Sequence, residues 1–192
     1  MPPPAVTYQL RVVLRGTSPP IWRRILVSPS MTLDRLHDVL QAVMGWEDCH
    51  LHMFVKGEQR FTRPGPWVDD WTPPGMPKDL NERKYRVRHL LEREKDWIEY
   101  EYDFGDSWNH RITLQKILPR DPKIRLPACL SGKRACPPED SGGSWGFQEK
   151  LEIRDDPDHE EHEWISEWMG EDFNPEAFSV KDVNERLRHM FR

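Results

Sequence analysis

Apolar and polar positions alternate from the beginning of the chain, and this alternation predicts the first elements. Tyr8, Leu10, Val12 and Leu14 fall on one side of a period-two stretch from Thr7 to Arg15, with Gln9, Arg11 and Arg15 on the other. That is the pattern of a half-buried strand. Gly16 to Pro20 is turn chemistry, and Ile21 to Val27 predicts a second strand, so the two read as a hairpin. The period then changes. Leu33, Leu36, Val39, Leu40, Val43 and Met44 recur at helical spacing, with Thr32 at the N-cap position and Gly45 where the helix should end. Leu51 to Val55 predicts a third strand. Strand, strand, helix, strand is the opening order of a β-grasp-like α+β fold.

The run from Trp97 to Leu118 predicts a second antiparallel hairpin, because it is rich in aromatic and β-branched residues and interrupted by Gly105-Asp106-Ser107. Alternation puts Ile98, Tyr100, Tyr102 and Phe104 on one face of the first strand and Trp108, His110, Ile112 and Leu114 on one face of the second. A three-residue loop, Gly105 to Ser107, would set Phe104 opposite Trp108, Tyr102 opposite His110 and Glu101 opposite Arg111. A loop shorter by one residue would set apolar side chains against polar ones.

Between and after these elements the pattern weakens. Arg63 to Lys78 holds five prolines with Trp67 and Trp71, and predicts a long loop packed over the body as a lid. Lys84 to Val87 predicts a short strand and Arg88 to Glu92 a helical turn. Pro119 to Gly146 predicts a second long loop. Helical spacing returns in the tail. One helix is expected from Gly146 to Arg154. A second, opened by an Asp158/Glu161 capping box, should run through Met169, and a third, opened by Ser179 and Asp182, through Met190. Trp164, Ile165, Trp168 and Met169 form the apolar stripe of the second. The whole predicts a mixed sheet with a C-terminal helical segment, in one domain over residues 1–192.

Composition changes the picture in three ways. At 36% hydrophobic and 32% charged residues, no run approaches the roughly 18 apolar residues of a membrane span. The N-terminus lacks the features of a signal peptide, so the expectation is a cytoplasmic protein that does not engage membranes. Residues 1–134 carry 22 Lys+Arg against 17 Asp+Glu, a net +5, while residues 135–192 carry 6 against 16, a net −10. An acidic helical tail should therefore pack on a mildly basic, sheet-rich part. The three cysteines, Cys49, Cys129 and Cys136, lack the spacing of a disulfide framework or a zinc knuckle.

Two clusters carry candidate chemistry. Asp103, Asp106 and His110 lie at one end of the second hairpin, which makes them the candidate catalytic residues. His50 and His52, an i, i+2 pair at the third strand, can ligate a metal if further ligands converge. With Asp106 and His110 they form the candidate divalent-metal set, which Glu139 and Asp140 could join from the loop. The same residues also have purely structural roles open to them: Asp106 as a turn cap, His110 as a core histidine. For nucleic acid, Arg23 and Arg24 beside Trp22, together with Arg86 and Arg88, could meet phosphates while the indole stacks on a base. Such binding should be weak and salt-dependent.

Three longer motifs, Tyr102-Asp-Phe-Gly-Asp-Ser-Trp-Asn-His110, Cys129-Leu-x-Gly-x-Arg-Ala-Cys-Pro-Pro-Glu-Asp-x-Gly-Gly143 and Asp172-Phe-Asn-Pro-Glu-Ala-Phe178, together with Gly45-Trp46 and His50-Leu-His52, resemble the plasmid pRiA4b ORF-3-like family over about residues 7–190. The resemblance implies a single α+β domain. Members are often labelled resolvase-like passenger proteins of insertion sequences, which implies a link with mobile DNA. The residues do not supply a recombinase: Ser107 has no neighbouring arginine cluster, and Tyr100 and Tyr102 point at the expected core. Two functions of different class follow. One is a non-catalytic binding or accessory protein associated with mobile DNA. The other is a metal-dependent hydrolase acting on phosphodiesters through a His/Asp site.

Overall fold

The structure, a computed structural model, describes residues 5–65 and 78–192. The lid expected around Trp67 and Trp71 lies outside the described residues.

The chain is α+β with a mixed sheet. The strands are β1 (Val6–Leu14), β2 (Ile21–Val27), β3 (His52–Lys56), β4 (Gln59–Thr62), β5 (Leu80–Asn81), β6 (Trp97–Tyr102), β7 (Trp108–Pro119) and β8 (Ala128–Lys133). They join in the order β5-β4-β3-β6-β7-β1-β2-β8. Every pairing is antiparallel except β4 with β5. The opening order of strand, strand, helix, strand is present, but the β6–β7 hairpin separates β3 from β1 in the sheet.

Helix α1 (Leu33–Met44) buries Leu33, Leu36, His37, Val39, Leu40 and Val43, and ends at Gly45 in the left-handed region, φ 99°. Only a residue without a Cβ adopts that conformation at no cost. The covered sheet face presents Leu10, Val12, Leu14, Ile21, Ile25, Phe54, Tyr100, Tyr102, Trp108 and Ile112, all essentially inaccessible to solvent. Three C-terminal helices complete the same apolar cluster: α3 (Gly143–Asp155) through Phe147 and Leu151, α4 (His162–Met169) through Ile165 and Met169, and α5 (Val180–Met190) through Val183 and Leu187. In α5 the expected cap is present, with Ser179 Oγ accepting from Asp182 N at 3.2 Å.

Several expectations need correction. The hairpin register differs by two residues: Tyr102 pairs with Trp108, Tyr100 with His110, Ile98 with Ile112, and Glu99, not Glu101, with Arg111. The connection is five residues long, 103–107. Asp103 and Ser107 both take positive φ, 56° and 55°. Asp103 N also donates to Leu51 O at 2.9 Å, which ties the hairpin end to the segment before β3. Phe104 is thereby turned out to solvent instead of facing Trp108. Because the shift is an even number, each side chain still within the two strands keeps its expected face.

The loop expected over Pro119–Gly146 contains β8, which pairs with β2. Its small and polar residues hid it, and its backbone is completed by a side chain: Asn184 of α5 accepts from Cys129 N and donates to Cys129 O, at 2.8 and 2.9 Å. An edge strand is covered in this way. The strand expected over Lys84–Val87 is instead a 3-10 turn at Glu82–Lys84, followed by the single helical turn α2 (Val87–Leu90). Arg86 contributes only one isolated bridge, to Thr32. Helix α4 starts later than expected, with Glu161 at its N-cap and no capping side chain. Trp164 is exposed, so Ile165 and Met169 carry the docking of that helix.

Candidate metal centre

Three segments that the sheet brings to one end of β3 and β6 converge on a single imidazole. His50 stands just before β3, Asp103 just after β6, and Glu139 and Asp140 in the loop between β8 and α3. His50 Nε2 is 3.6 Å from Asp103 Oδ2, 3.8 Å from Glu139 Oε2 and 3.3 Å from Asp140 Oδ1. Ligands about 2.0–2.2 Å from one tetrahedral ion stand about 3.4 Å apart; ligand atoms of His50, Asp103 and Asp140 lie within 4.8 Å of one another, as do those of Cys49, His50 and Glu139, so His50 is common to two overlapping groups.

The remaining oxygens and the backbone hold the carboxylates in place. Asp103 Oδ1 accepts from Gly105 N at 2.9 Å, leaving Oδ2 toward His50. Glu139 Oε1 accepts from the Tyr102 hydroxyl and from Glu47 N, both at 3.0 Å. Burial, followed by the hydrogen bonds to Cys49 and Glu139, pushes the Tyr102 phenol well above its ordinary pKa, so its hydroxyl is a permanent donor. Two atoms are left over. His50 Nε2 and Glu139 Oε2 are buried and make no hydrogen bond among the described residues. Buried polar atoms without partners are costly, and here two of them face each other. Asp103 and Asp140 sit at positive φ, 56° and 55°, and strain of this kind in non-glycine residues clusters at functional sites. The Asp140 side chain is largely exposed, so the cluster opens to solvent on that side.

The loop that carries Glu139 and Asp140 is fastened from several sides. Trp46 Nε1 donates to Pro137 O at 3.1 Å and Ser141 Oγ to Pro138 O at 2.6 Å. Gly142 N donates to Asp106 Oδ2 at 2.9 Å. At Gly143, φ 70°, a Cβ would lie 2.6 Å from Asp106 O, so the loop and the hairpin tip touch through backbone. Asp106 is thus a strap between the hairpin tip and the loop that carries Glu139 and Asp140, with its carboxylate bonded to Gly142 N.

His52 belongs to a different group. Its ring stacks on His37 with centroids 3.5 Å apart and 8° between planes. His52 Nε2 meets Glu82 Oε2 at 2.8 Å. His37 bridges Tyr100 Oη and Asp48 Oδ1, each at 2.8 Å. Burial, with His52 alongside, pulls His37 down to about 4 against the opposing pull of Asp48. His37, Asp48 and His52 bring ligand atoms within 4.8 Å of one another. Stacked parallel rings nevertheless hold their in-plane lone pairs in separate planes, so one ion cannot lie in both. This is a buried hydrogen-bond network. Residues i and i+2 share a face only within a strand. His50 lies outside the strand, where that rule has no force, and the two histidines serve separate clusters.

His110 is wholly buried, with Nδ1 donating to Tyr100 O at 3.2 Å and its ring edge-on to Trp46 at 5.2 Å. Burial lowers it to about 4. It is a core histidine. Among the arginines proposed to meet phosphates, Arg23 is buried beneath the sheet and donates to Val43 O, Trp22 O and Lys133 O at 2.8–2.9 Å. Arg24 is half-buried on the opposite sheet face, Arg86 donates to Ser30 O, and Arg88 is exposed near the start of α2. His37, Asp48 and Glu82 were not anticipated. The helical spacing does set His37 with Leu33, Leu40 and Met44 on the buried face of α1; Asp48 and Glu82 carry no comparable signal.

Fold and motifs together define an α+β class. The sequence profile of the family described as "Plasmid pRiA4b ORF-3-like protein" matches residues 6–182, and the chain belongs to that family. It is 35% identical over 185 residues to "Uncharacterized protein y4hQ" of Sinorhizobium fredii (strain NBRC 101917 / NGR234), covering 95% of this chain and 91% of the relative. It is also similar to the crystal structure of a protein of unknown function, MM3350, from Methanosarcina mazei Go1. That likeness has a TM-score of 0.82 at 39% identity, covering 94% of this chain and 99% of the other.

Proposed function

We propose that this chain binds one divalent metal ion through His50 Nε2, Asp103 Oδ2, Glu139 Oε2 and Asp140 Oδ1, and that it is a metal-dependent hydrolase. The observation that carries the reading is the pair of buried atoms without hydrogen bonds, His50 Nε2 and Glu139 Oε2, 3.8 Å apart where the His50–Asp103–Asp140 and Cys49–His50–Glu139 groups overlap. One imidazole with three carboxylates suits a zinc or manganese ion. The cluster opens to solvent beside Asp140, so an ion that takes more than four ligands, as manganese does, would keep a position for water there. A bound ion would supply Lewis acidity and a water of lowered pKa. The chain's own part is to hold Glu139 through Tyr102 and Glu47 N, to aim Asp103 through Gly105 N, and to leave the Asp140 carboxylate open to solvent.

The test is hydrolysis of an activated phosphodiester, bis(p-nitrophenyl) phosphate, by chelator-stripped protein reloaded with zinc or manganese. Turnover that returns with metal and vanishes in Asp140→Asn supports the proposal. Metal uptake without turnover on any activated ester or phosphodiester would reduce the protein to a metal-binding accessory module.

A further inference from the structure

The sheet face opposite α1 has a composition of its own. Four neighbouring strands, β7, β1, β2 and β8, contain no Asp or Glu at all. Their outward positions follow from the register. One row across the strands reads Arg111, Val13, Trp22, Lys133, and the next reads Thr113, Arg11, Arg24, Ser131. Arg11, Arg111 and Lys133 are exposed, and Trp22 and Arg24 half-buried. The guanidinium carbons of Arg11 and Arg24 lie 5.4 and 5.6 Å from the centroid of the Trp22 ring, one contact from each neighbouring position. At the β6 edge Arg111 lies 4.2 Å over exposed Trp97. Among the described residues, Arg11, Arg24, Arg111 and Lys133 form no ion pair. Arg15, at the end of β1, is held by Glu99.

We infer that this face binds single-stranded nucleic acid. Four cations that form no ion pair match a run of phosphates, and each phosphate neutralised releases a counterion; Glu99, which stands opposite Arg111 on β6, is engaged by Arg15. Trp22 and Trp97 are flat rings set among those cations, the combination that lets unpaired bases stack while the backbone is held. With strands about 4.8 Å apart, the four span about 14 Å, room for a few nucleotides. A duplex keeps its bases stacked on one another and leaves the tryptophans without a partner, and an acidic peptide would use the cations alone. The surface is separate from the metal cluster and does not depend on it. Arg23 drops out because it points into the core, and Arg11 and Arg111, far apart in sequence, take its place.

The experiment is fluorescence anisotropy of a labelled oligothymidylate with the full chain over a salt series. With four cations engaged, the logarithmic salt slope should be about −3, and binding should weaken steeply between about 50 and 200 mM salt. Arg11→Glu/Arg111→Glu should bind at least tenfold more weakly with a shallower slope. Trp22→Ala should bind about fivefold or more weakly with the slope unchanged, and Trp22→Phe should restore part of the loss. Circular dichroism confirms that each variant is folded. The inference is overturned if folded wild-type protein does not bind the oligonucleotide at low salt, or if the double charge reversal binds as wild type does. It is likewise overturned if a duplex binds as tightly as the single strand, or if polyglutamate displaces the oligonucleotide at equal charge.

Discussion

His110 should make the fold sensitive to acid in a way that can be assigned to one residue. Its ring is wholly buried, its single good hydrogen bond is the donation from Nδ1 to Tyr100 O, and Nε2 has no partner among the described residues. The folded protein therefore holds the neutral ring, with a pKa lowered by burial to about 4. In the unfolded chain an unperturbed histidine titrates near 6.5. The unfolded state thus binds more protons between these values. Stability contributed by the neutral ring is complete above about pH 6.5 and is lost as pH falls toward 4. At pH 4.5 the loss from this one group comes to about 2.5 kcal/mol, a large share of the stability of an ordinary domain. Urea unfolding between about pH 7 and pH 4.5 measures it. His37 and the carboxylates also titrate in this range, but they are common to wild type and His110→Gln, so the difference between the two curves isolates His110. Wild type should lose about 2.5 kcal/mol more than the variant over that range. Parallel curves would show that the ring takes up its proton as readily in the fold as in the unfolded chain, and the argument from burial would be wrong.

Other outcomes follow from the packing. Arg23→Met should cost about 3 kcal/mol or more in urea unfolding, because it strands three carbonyl acceptors in the core; a loss below about 1 kcal/mol would place Arg23 at the surface after all. Asp106→Ala removes the acceptor for Gly142 N and should weaken metal binding about tenfold by calorimetry with a small change in melting temperature, since a hydrogen bond to a charged group is worth about 1.5–3 kcal/mol. Trp164→Ala should leave stability within about 0.5 kcal/mol, because the indole is exposed.

What could be read from the sequence was local. Period two and period 3.6 placed β1, β2, α1 and α5, because each element has one buried face and the apolar positions record it. The faces of the β6–β7 hairpin were legible for the same reason. Its register was not, because the positive φ that lengthens the turn falls at Asp103 and Ser107, neither of them a glycine. The strand β8 carries too few apolar residues to show a period, and it is held partly by Asn184, 55 residues away. The cluster around His50 was half legible: the histidine, Asp103 and the Glu139-Asp140 pair were visible as residue types, but their meeting depends on β3 lying beside β6. Nothing in the spacing separates His50 from His52, or reveals that Asp106 straps the loop while Asp103 faces the imidazole.

The centre itself is tested most directly by counting metal. Wild-type protein and Glu139→Gln, each stripped with chelator, incubated with zinc or manganese and dialysed, would be analysed for bound ion by mass spectrometry alongside their melting curves. The geometry predicts close to one ion per wild-type chain, with a melting temperature raised by the ion. It predicts little or no ion in Glu139→Gln, whose melting temperature without metal should be at least as high as that of wild type, because the unpartnered Oε2 charge is gone. A wild-type chain that retains neither ion, or a variant that retains as much as wild type, would contradict the assignment of His50, Asp103, Glu139 and Asp140 as a metal centre.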